Sequence, residues 1–263
     1  MSEPYYADDS VTLYHGDCRE VLSTLTRVDV VITDPPYSAH THSSVRSSKM
    51  RANDRGGRYG ADTRRVVDLG FEHLDDDLRE MCAAEFARLS ARWVLVFSDV
   101  ESGHLWRTSL TGCGLDYVRT GAWVKVGSTP QFSGDRPATA FEAITMAHPA
   151  GRKQWNGGGK HALWSVPIVT DRGRNGARLH PTQKPLALMR ELVTLFTNPG
   201  EVVLDAFAGS GTTLVAARLE GRRAVGIERN EAHCELIATR LAQGDIAAGA
   251  SLPEQGDLFG GVA

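Results

Sequence analysis

A buried strand that ends at two consecutive prolines constrains this chain more than any other feature. Val28–Ile32 is rich in β-branched apolar residues, which predicts a strand inside a parallel sheet. Pro35 and Pro36 must end the strand because proline has no backbone N–H to donate. Asp34 and Tyr37 flank the two prolines. The tetrapeptide therefore lies at the carboxyl end of a parallel strand, where open α/β sheets place their ligands.

The chemistry of this tetrapeptide suits a planar amino compound. The Asp34 carboxylate and the Pro35 carbonyl offer two hydrogen-bond acceptors at a fixed spacing. Two acceptors match the two N–H donors of an exocyclic amino group, and Tyr37 offers a ring on which a base can stack. The alternative is a turn in which Asp34 caps and Tyr37 packs. The tetrapeptide alone leaves both interpretations open, since short motifs often match by chance.

A second motif, rich in glycine, follows a buried strand near the end of the chain. Its elements are the strand Val202–Leu204, the turn Asp205–Thr213, the helix Leu214–Leu219 and the strand Arg223–Ile227. This order, ended by Glu228, is typical of the first half of a nucleotide-binding fold, in which the acid accepts from ribose hydroxyls. Thr213 stands where a dinucleotide fingerprint has its third glycine, and no Gly-Lys-Ser/Thr follows. We therefore expect a ligand with an adenosine but no phosphate run.

The remaining periodicity alternates between helix and strand, which predicts an α/β fold with a mostly parallel sheet. The predicted elements are the strand Val11–His15, the helix Leu74–Leu89, the strand Trp93–Phe97, the helix Val100–Cys113, the strand Tyr117–Val126 and the helix Leu186–Phe196. Between residues 127 and 178 the pattern breaks down around prolines, three consecutive glycines and two tryptophans, Trp155 and Trp164, which we expect to be exposed. This segment is either an inserted recognition lobe or an elaborate surface loop.

Positive charge is concentrated in two segments, although the whole chain carries a net charge of −3. Residues 38–66 contain seven Lys or Arg against two Asp, and residues 119–178 contain nine against three acids. This distribution is typical of a surface that binds a polyanion, with solvated arginine loops as the alternative. The candidate phosphate-binding residues are Arg46, Lys49, Arg51, Arg55, Arg58, Arg152, Lys153 and Lys160.

Composition excludes several classes of protein. The chain has 263 residues with 41% hydrophobic and 23% charged content, which suits one large α/β domain with an inserted lobe. Its apolar runs fall short of the ~20 residues that span a bilayer, so we expect a cytoplasmic protein. The four cysteines lie far apart without a C-x-x-C pair, which predicts reduced thiols and no metal site.

Two of these motifs resemble those of a known family. Asp34-Pro35-Pro36-Tyr37 followed by Phe207-Ala208-Gly209-Ser210-Gly211, with His180–Pro185 between them, resembles the S-adenosylmethionine-dependent DNA amino-methyltransferases. The order of the motifs is similar to that of the β group. The resemblance implies a Rossmann-like α/β fold with a circularly permuted motif order. It also implies a target-recognition lobe at 127–178, a catalytic and cofactor domain at 1–126 and 179–243, a basic DNA-facing loop at 38–66 and a flexible tail at 244–263.

The resemblance further implies roles for individual residues. S-adenosylmethionine would contact Asp17 at its adenine and Glu228 at its ribose, with Thr182 and Lys184 at its methionine end. The remaining cofactor residues would be Asp205, Phe207, Gly209, Gly211 and Thr212. The basic residues named above would bind double-stranded DNA, in a bacterial or phage-infected cell, as a monomer or homodimer.

The implied reaction is transfer of a methyl group to a flipped base. Asp34 and the Pro35 carbonyl would hold the amino nitrogen, with Pro36 fixing the turn and Tyr37 stacking on the base. An aspartate at the first position favours adenine N6, with cytosine N4 as the alternative. Two other classes are a DNA-binding relative that lost activity and a methyltransferase acting on RNA or protein. A nicotinamide oxidoreductase is disfavoured by the missing third glycine.

The end of the chain carries a separate resemblance. Gln255-Gly256-Asp257-Leu258-Phe259 is similar to the short peptide by which bacterial replication and repair proteins dock on the sliding clamp. The alternative is a C-terminal segment without a partner, because a match of five residues is easily obtained by chance.

Replacement of Asp34 by Ala should abolish methyl transfer and leave binding of S-adenosylmethionine nearly unchanged. The reason is that Asp34 would contact the base and not the cofactor. Transfer of a labelled methyl group and a binding titration measure the two effects separately. A variant with near-normal turnover would contradict the role of Asp34.

Overall fold

A nine-stranded mixed sheet organises the chain in a computed structural model, which describes residues 3–37, 74–128, 130, 136–169 and 183–242. The strands are β1 (Tyr6–Ala7), β2 (Val11–His15), β3 (Val30–Thr33), β4 (Val94–Ser98), β5 (Asp116–Val126), β6 (Phe141–His148), β7 (Leu163–Pro167), β8 (Val202–Asp205) and β9 (Arg223–Glu228). Their order across the sheet is β1-β2-β9-β8-β3-β4-β6-β5-β7. Strands β3 and β4 are buried along their whole length, as expected of central strands.

Helices cover both faces of the sheet. They are α1 (Cys18–Val21), which leads into a 3-10 turn at Leu22–Thr24, α2 (Asp76–Leu89), α3 (Gly103–Gly112), α4 (Leu186–Phe196), α5 (Thr212–Leu219) and α6 (Glu231–Ala242). Alternate residues of β3 point to opposite layers: Val30 and Ile32 pack with α4, α5 and α6, whereas Val31 packs with α1, α2 and α3. The described chain is therefore a three-layer α/β/α sandwich, as the alternating pattern predicts.

The direction of the strands defines where a ligand can bind. Strand β3 pairs in parallel with β4 on one side and with β8 on the other. The strand that follows β3 along the chain is β4, which lies on one side of the β3–β8 pair. The strand that follows β8 is β9, which lies on the other side of that pair. The chain thus reverses its winding between β3 and β8, and such a switch point leaves a crevice at the carboxyl ends of the two strands.

The described part of residues 127–178, predicted as an inserted target-recognition lobe, contributes the two strands β6 and β7 to the central sheet. Strand β6 lies between β4 and β5 and is antiparallel to both, and β7 forms the edge beside β5. Trp164, expected at the surface, is fully buried in β7, while Trp155 is partly buried against the core. Pro167 ends β7, and the other described prolines and glycines of this segment lie in the connections, which explains why the sequence pattern did not reveal the two strands. A role of these connections in target recognition stays a prediction.

The other predicted elements are found close to their predicted bounds. Val11–His15 and Leu186–Phe196 match their predicted ranges, and the remaining helices and strands differ by a few residues at their ends. No helix in the described ranges is long and apolar enough to cross a membrane. The basic loop 38–66 and the tail with Gln255–Phe259 lie outside the described residues, so both remain predictions.

The close packing of β5 against β6 and β7 generates a test of the fold. A Cβ atom at Gly121 would lie 2.7 Å from Met146 Cε, 2.8 Å from Trp164 Cζ3 and 2.9 Å from the Ala162 carbonyl oxygen. We expect Gly121→Ala to lower the free energy of unfolding by about 1–3 kcal/mol, because this well-packed layer must shift. Denaturant unfolding measures the effect.

Gly112→Ala is the matched control. A Cβ at Gly112, in α3, has nothing within 4 Å, so this substitution should be neutral or stabilise by up to about 1 kcal/mol. Equal stabilities of the two variants would contradict the position of β7 beside β5.

Candidate active site

Two acidic residues meet at the switch point of the sheet. Asp34 directly follows β3, and Asp205 is the last residue of the neighbouring strand β8. Thr33 donates its hydroxyl to Asp205 Oδ1 at 2.8 Å, which links the two strand ends directly. The tetrapeptide and the glycine turn therefore share one edge of the sheet.

The Asp34 carboxylate is paired on one oxygen only, as far as the described residues extend. Lys184 Nζ donates to Asp34 Oδ2, whereas Asp34 Oδ1 is buried without a hydrogen-bond partner among those residues. A buried acceptor without a donor costs free energy of folding. A ligand that donates a hydrogen bond to Oδ1 would remove this cost. Pro35 is buried beside it, while Pro36 and Tyr37 are half-buried.

Lys184 connects Asp34 to a second carboxylate. Its ammonium lies 3.1 Å from Glu142 Oε2 and 3.5 Å from the Tyr37 hydroxyl oxygen. Glu142 stands near the start of β6, and its Oε1 pairs with Lys125 of β5 at 2.6 Å. Because β6 runs antiparallel to β4, its first residues reach the same edge as the carboxyl end of β3. The result is a buried network of two carboxylates and two ammonium groups.

Burial and charge act against each other within this network. Burial, reinforced by Glu142, raises the pKa of Asp34 in spite of the nearby Lys184 ammonium. Burial alone would also raise the pKa of Glu142, but Lys184 and Lys125 outweigh it and hold that pKa below its ordinary value. Burial together with Asp34 and Glu142 keeps the pKa of Tyr37 well above 10.0, so its hydroxyl stays neutral.

The glycine turn after β8 forms a close-fitting backbone cradle. Gly211 has a φ of +76°, and a Cβ there would lie 2.8 Å from Ile237 Cγ1 of α6, so only glycine fits. The backbone N–H of Gly209 donates to Glu228 Oε2 at 2.8 Å, which brings the turn against the end of β9. Thr212 opens α5 and is buried, with its hydroxyl 3.1 Å from Ser210 Oγ.

Asp205 is the most perturbed acid of the cradle. Burial raises its pKa to about 6, although Thr213, Thr33 and the Phe207 N–H all donate hydrogen bonds to it. Phe207 itself follows Asp205 and is half-exposed at the edge. A buried acid with a raised pKa in a cleft is typical of a functional site.

Asp17 borders the same edge from the side of β2. It caps α1 by accepting from the Arg19 N–H at 2.9 Å, and its Oδ2 pairs with the Arg19 guanidinium at 2.6 Å. These bonds lower the pKa of Asp17. Strand β2 pairs with β9 so that His15 lies opposite Glu228, which places Asp17 beside the end of β9. Thr182 lies outside the described residues.

Comparison with known proteins identifies the family of this chain. A family model described as DNA methylase, of the N6/N4 class, matches residues 28–239. The chain belongs to the DNA methylase family. The match includes both the tetrapeptide and the glycine turn, which confirms the resemblance that the two motifs indicate.

Individual relatives agree with this membership. The chain is 26% identical over 261 residues to the type II methyltransferase M.HinfI of Haemophilus influenzae, covering 88% of this chain and 68% of the relative. The crystal structure of the M1.HpyAVI–SAM complex superposes with a TM-score of 0.63 at 24% identity, over 88% of this chain and 99% of that one. PvuII DNA methyltransferase, described as cytosine-N4-specific, superposes with a TM-score of 0.65 at 16% identity, over 92% and 96%. The two structures confirm the predicted Rossmann-like methyltransferase fold.

The structure does not bring all predicted site residues of this DNA methylase together. Lys153 pairs with Asp116, the first residue of β5, at 2.8 Å, so Lys153 and the adjacent Arg152 lie at the edge opposite to Asp34. Lys160 pairs with Glu191, part-way along α4. Their predicted role in DNA binding gains no support from this placement. The five basic residues between 46 and 58 lie outside the described residues.

Three residues of the site are not predicted from the sequence. Thr33 is visible there only as the end of a strand, and Glu142 and Lys125 lie in or beside the segment where periodicity is lost. A signal for Glu142 exists, since an acid precedes an apolar run, Ala143–Ala147, between two prolines. Lys184 is predicted at the cofactor's methionine end, whereas the structure places its ammonium against Asp34 and Glu142.

Asp205→Asn should stabilise the protein at pH 8. The pKa of Asp205 is about 6 in the fold against 3.8 in a free side chain, so the folded state holds the proton more tightly. Stability therefore falls as pH rises from 4 to 6, and the cost of a buried charge persists above pH 6. Removing that charge should raise the free energy of unfolding by up to about 3 kcal/mol at pH 8 and by little at pH 4.

Denaturant unfolding at the two pH values tests this expectation, with Asp17→Asn as the control of opposite sign. The pKa of Asp17 is lowered by Arg19, so its charge stabilises the fold above its unfolded pKa and its removal should destabilise at pH 8. A loss of stability in Asp205→Asn at pH 8 would contradict the assignment of Asp205 as a strained buried acid.

Proposed function

We propose that this DNA methylase transfers a methyl group from S-adenosylmethionine to the exocyclic amino group of a flipped base, with adenine N6 as the preferred target. The observation that carries the proposal is the buried Asp34 Oδ1, unpaired among the described residues, at the same sheet edge as Asp205 and the glycine turn. When bound, S-adenosylmethionine supplies an electrophilic methyl group on its sulfonium.

The residues of the cradle fit such a cofactor. Gly209 and Gly211 bring backbone close to a ligand, and Glu228 at the end of β9 is placed to accept from ribose hydroxyls. The turn lacks the features that bind phosphate, and the cofactor has none. M1.HpyAVI, which shares this fold and was crystallised as a complex with SAM, supports the same cofactor.

The tetrapeptide supplies what the base requires. An aromatic amino nitrogen is a weak nucleophile because its lone pair is delocalised into the ring. Asp34 Oδ1 and the Pro35 carbonyl would accept hydrogen bonds from its two N–H groups, which favours a pyramidal nitrogen with an available lone pair. As the nitrogen–carbon bond forms, the carbon–sulfur bond of the cofactor would break, and the nitrogen would then release one proton to solvent. Tyr37, with a neutral hydroxyl, stacks on the base that has left the duplex.

The aspartate at the first position of the tetrapeptide supports adenine N6. Cytosine N4 is the second candidate, favoured by the likeness in fold to the cytosine-N4-specific PvuII enzyme. Similarity to the type II methyltransferase M.HinfI supports site-specific modification within a restriction-modification system.

Expression of the full chain in a host without DNA methyltransferases tests the proposal. Genomic DNA should gain N6-methyladenine within a short recurrent sequence, detected by modified-base sequencing and by mass spectrometry of nucleosides. DNA from cells that express Asp34→Ala should lack it. N4-methylcytosine would establish the second candidate, and unmodified DNA together with intact cofactor binding would identify an inactive DNA-binding relative.

A further inference from the structure

We propose that Lys184 and Glu142 form a buried positioning pair that orients the Asp34 carboxylate for the base, and that Lys184 does not bind the cofactor. The inference rests on the proposed function, since it names the residues that position Asp34, the carboxylate that would bind the base. It also replaces the role at the methionine end that the sequence predicts for Lys184.

The first argument for this role concerns the oxygen atoms that surround the Lys184 ammonium. An ammonium group has three N–H donors and no acceptor. Around Lys184 Nζ lie three acceptors: Asp34 Oδ2, Glu142 Oε2 at 3.1 Å and the Tyr37 hydroxyl at 3.5 Å. Asp34 Oδ2 and the Tyr37 hydroxyl accept hydrogen bonds from this ammonium, and Glu142 Oε2 is an ion-pair partner without hydrogen-bond geometry. Three oxygens of the chain itself therefore surround Nζ where a cofactor carboxylate would have to approach.

The second argument concerns the burial of Lys184 and the aromatic rings around it. Its side chain is only 9% exposed, and the ring centroids of Phe97, Tyr37 and Trp123 lie 5.1 Å, 5.8 Å and 5.9 Å from Nζ. Aromatic faces at this range attract a cation and exclude water. Burial alone would lower the pKa of Lys184, but Asp34 and Glu142 raise it, so the ammonium remains charged.

The third argument concerns the contacts that hold Glu142 in position. Glu142 lies opposite Trp123 in the pairing of β5 with β6, and Lys125 on β5 holds its other oxygen at 2.6 Å. The pairing of two adjacent strands thus holds Glu142 in position. Glu142 in turn positions the Lys184 ammonium through their ion pair, and Lys184 positions one oxygen of Asp34. Asp34 Oδ1 is thereby left without a hydrogen-bond partner in the described part of the chain.

The arrangement also controls the charge of Asp34. The ionisable groups that face Asp34 are Lys184, Glu142, Tyr37 and Asp205. Lys184 is the single cation among these four, so its removal leaves three buried carboxyl groups, Asp34, Glu142 and Asp205, without it. Like charges in a buried site raise one another's pKa. Lys184→Met should therefore raise the pKa of Asp34, and Glu142→Gln should lower it.

The decisive experiment compares the wild type, Lys184→Met, Lys184→Arg and Glu142→Gln in the full chain. Binding of S-adenosylmethionine is measured by titration calorimetry, and single-turnover methyl transfer is measured between pH 5.5 and 9. The ionisation of Asp34 is followed without cofactor by ¹³C NMR of labelled aspartate carboxyls, with Asp34→Asn to assign the signal. Arg190→Met is the matched control, because it breaks an ion pair between Arg190 on α4 and Glu220 at the end of α5, away from the site.

In Lys184→Met the transfer rate at pH 7 should fall about 100-fold, the size of loss that follows misplacement of a reacting group. The acid limb of its pH profile should move to higher pH, and the Asp34 signal should titrate at higher pH. Cofactor affinity should change less than about 3-fold, under 1 kcal/mol. Lys184→Arg should recover part of the rate, because the cation is kept.

Glu142→Gln should move the Asp34 titration to lower pH, which keeps the test informative if Lys184→Met fails to fold. A large loss of cofactor affinity in Lys184→Met with a normal rate at saturating cofactor would overturn the inference. An unchanged Asp34 titration in both Lys184→Met and Glu142→Gln would overturn it as well. Absence of methyl transfer by the wild type would instead contradict the proposed function, and the NMR titration would still test the positioning pair.

Discussion

The parallel pairing of β3 with β8 is the constraint on which the site depends. It places Asp34 and Asp205 at neighbouring strand ends, and the Thr33 hydroxyl bonded to Asp205 at 2.8 Å ties the two ends together. The winding of the chain reverses at this pair, and such a switch point is where open α/β sheets bind their ligands. The tetrapeptide and the glycine turn, far apart in the sequence, therefore lie side by side at one edge of the sheet.

Much of this arrangement follows from local sequence. The tetrapeptide and the glycine turn contain residues whose backbone rules are strict: proline ends a strand, and Gly211 with φ +76° against Ile237 admits no side chain. Strands such as Val11–His15 alternate cleanly because one face meets the core. Such signals are local, so they predict both the class of fold and the position of the crevice.

Other parts of the site depend on tertiary contacts that no local pattern encodes. Strand β6 is a short apolar run with an acid near its start, and its place between β4 and β5 follows from pairing, not from periodicity. Lys184 lies 150 residues from Asp34 along the chain, so its partner is visible only in the fold. A count of positive charges likewise ignores where each residue lies: Lys153 and Lys160 pair with Asp116 and Glu191, and their role in DNA binding stays a prediction.

The pairing of β3 with β8 also affects how the protein is made. On a ribosome, β3 emerges long before β8, and β2 must likewise wait for β9. Until the last quarter of the chain has been synthesised, β3 has only β4 of its two parallel neighbours and β2 lacks β9, and such distant pairings form slowly. The nascent chain therefore exposes unpaired strand edges during translation, and such edges favour aggregation.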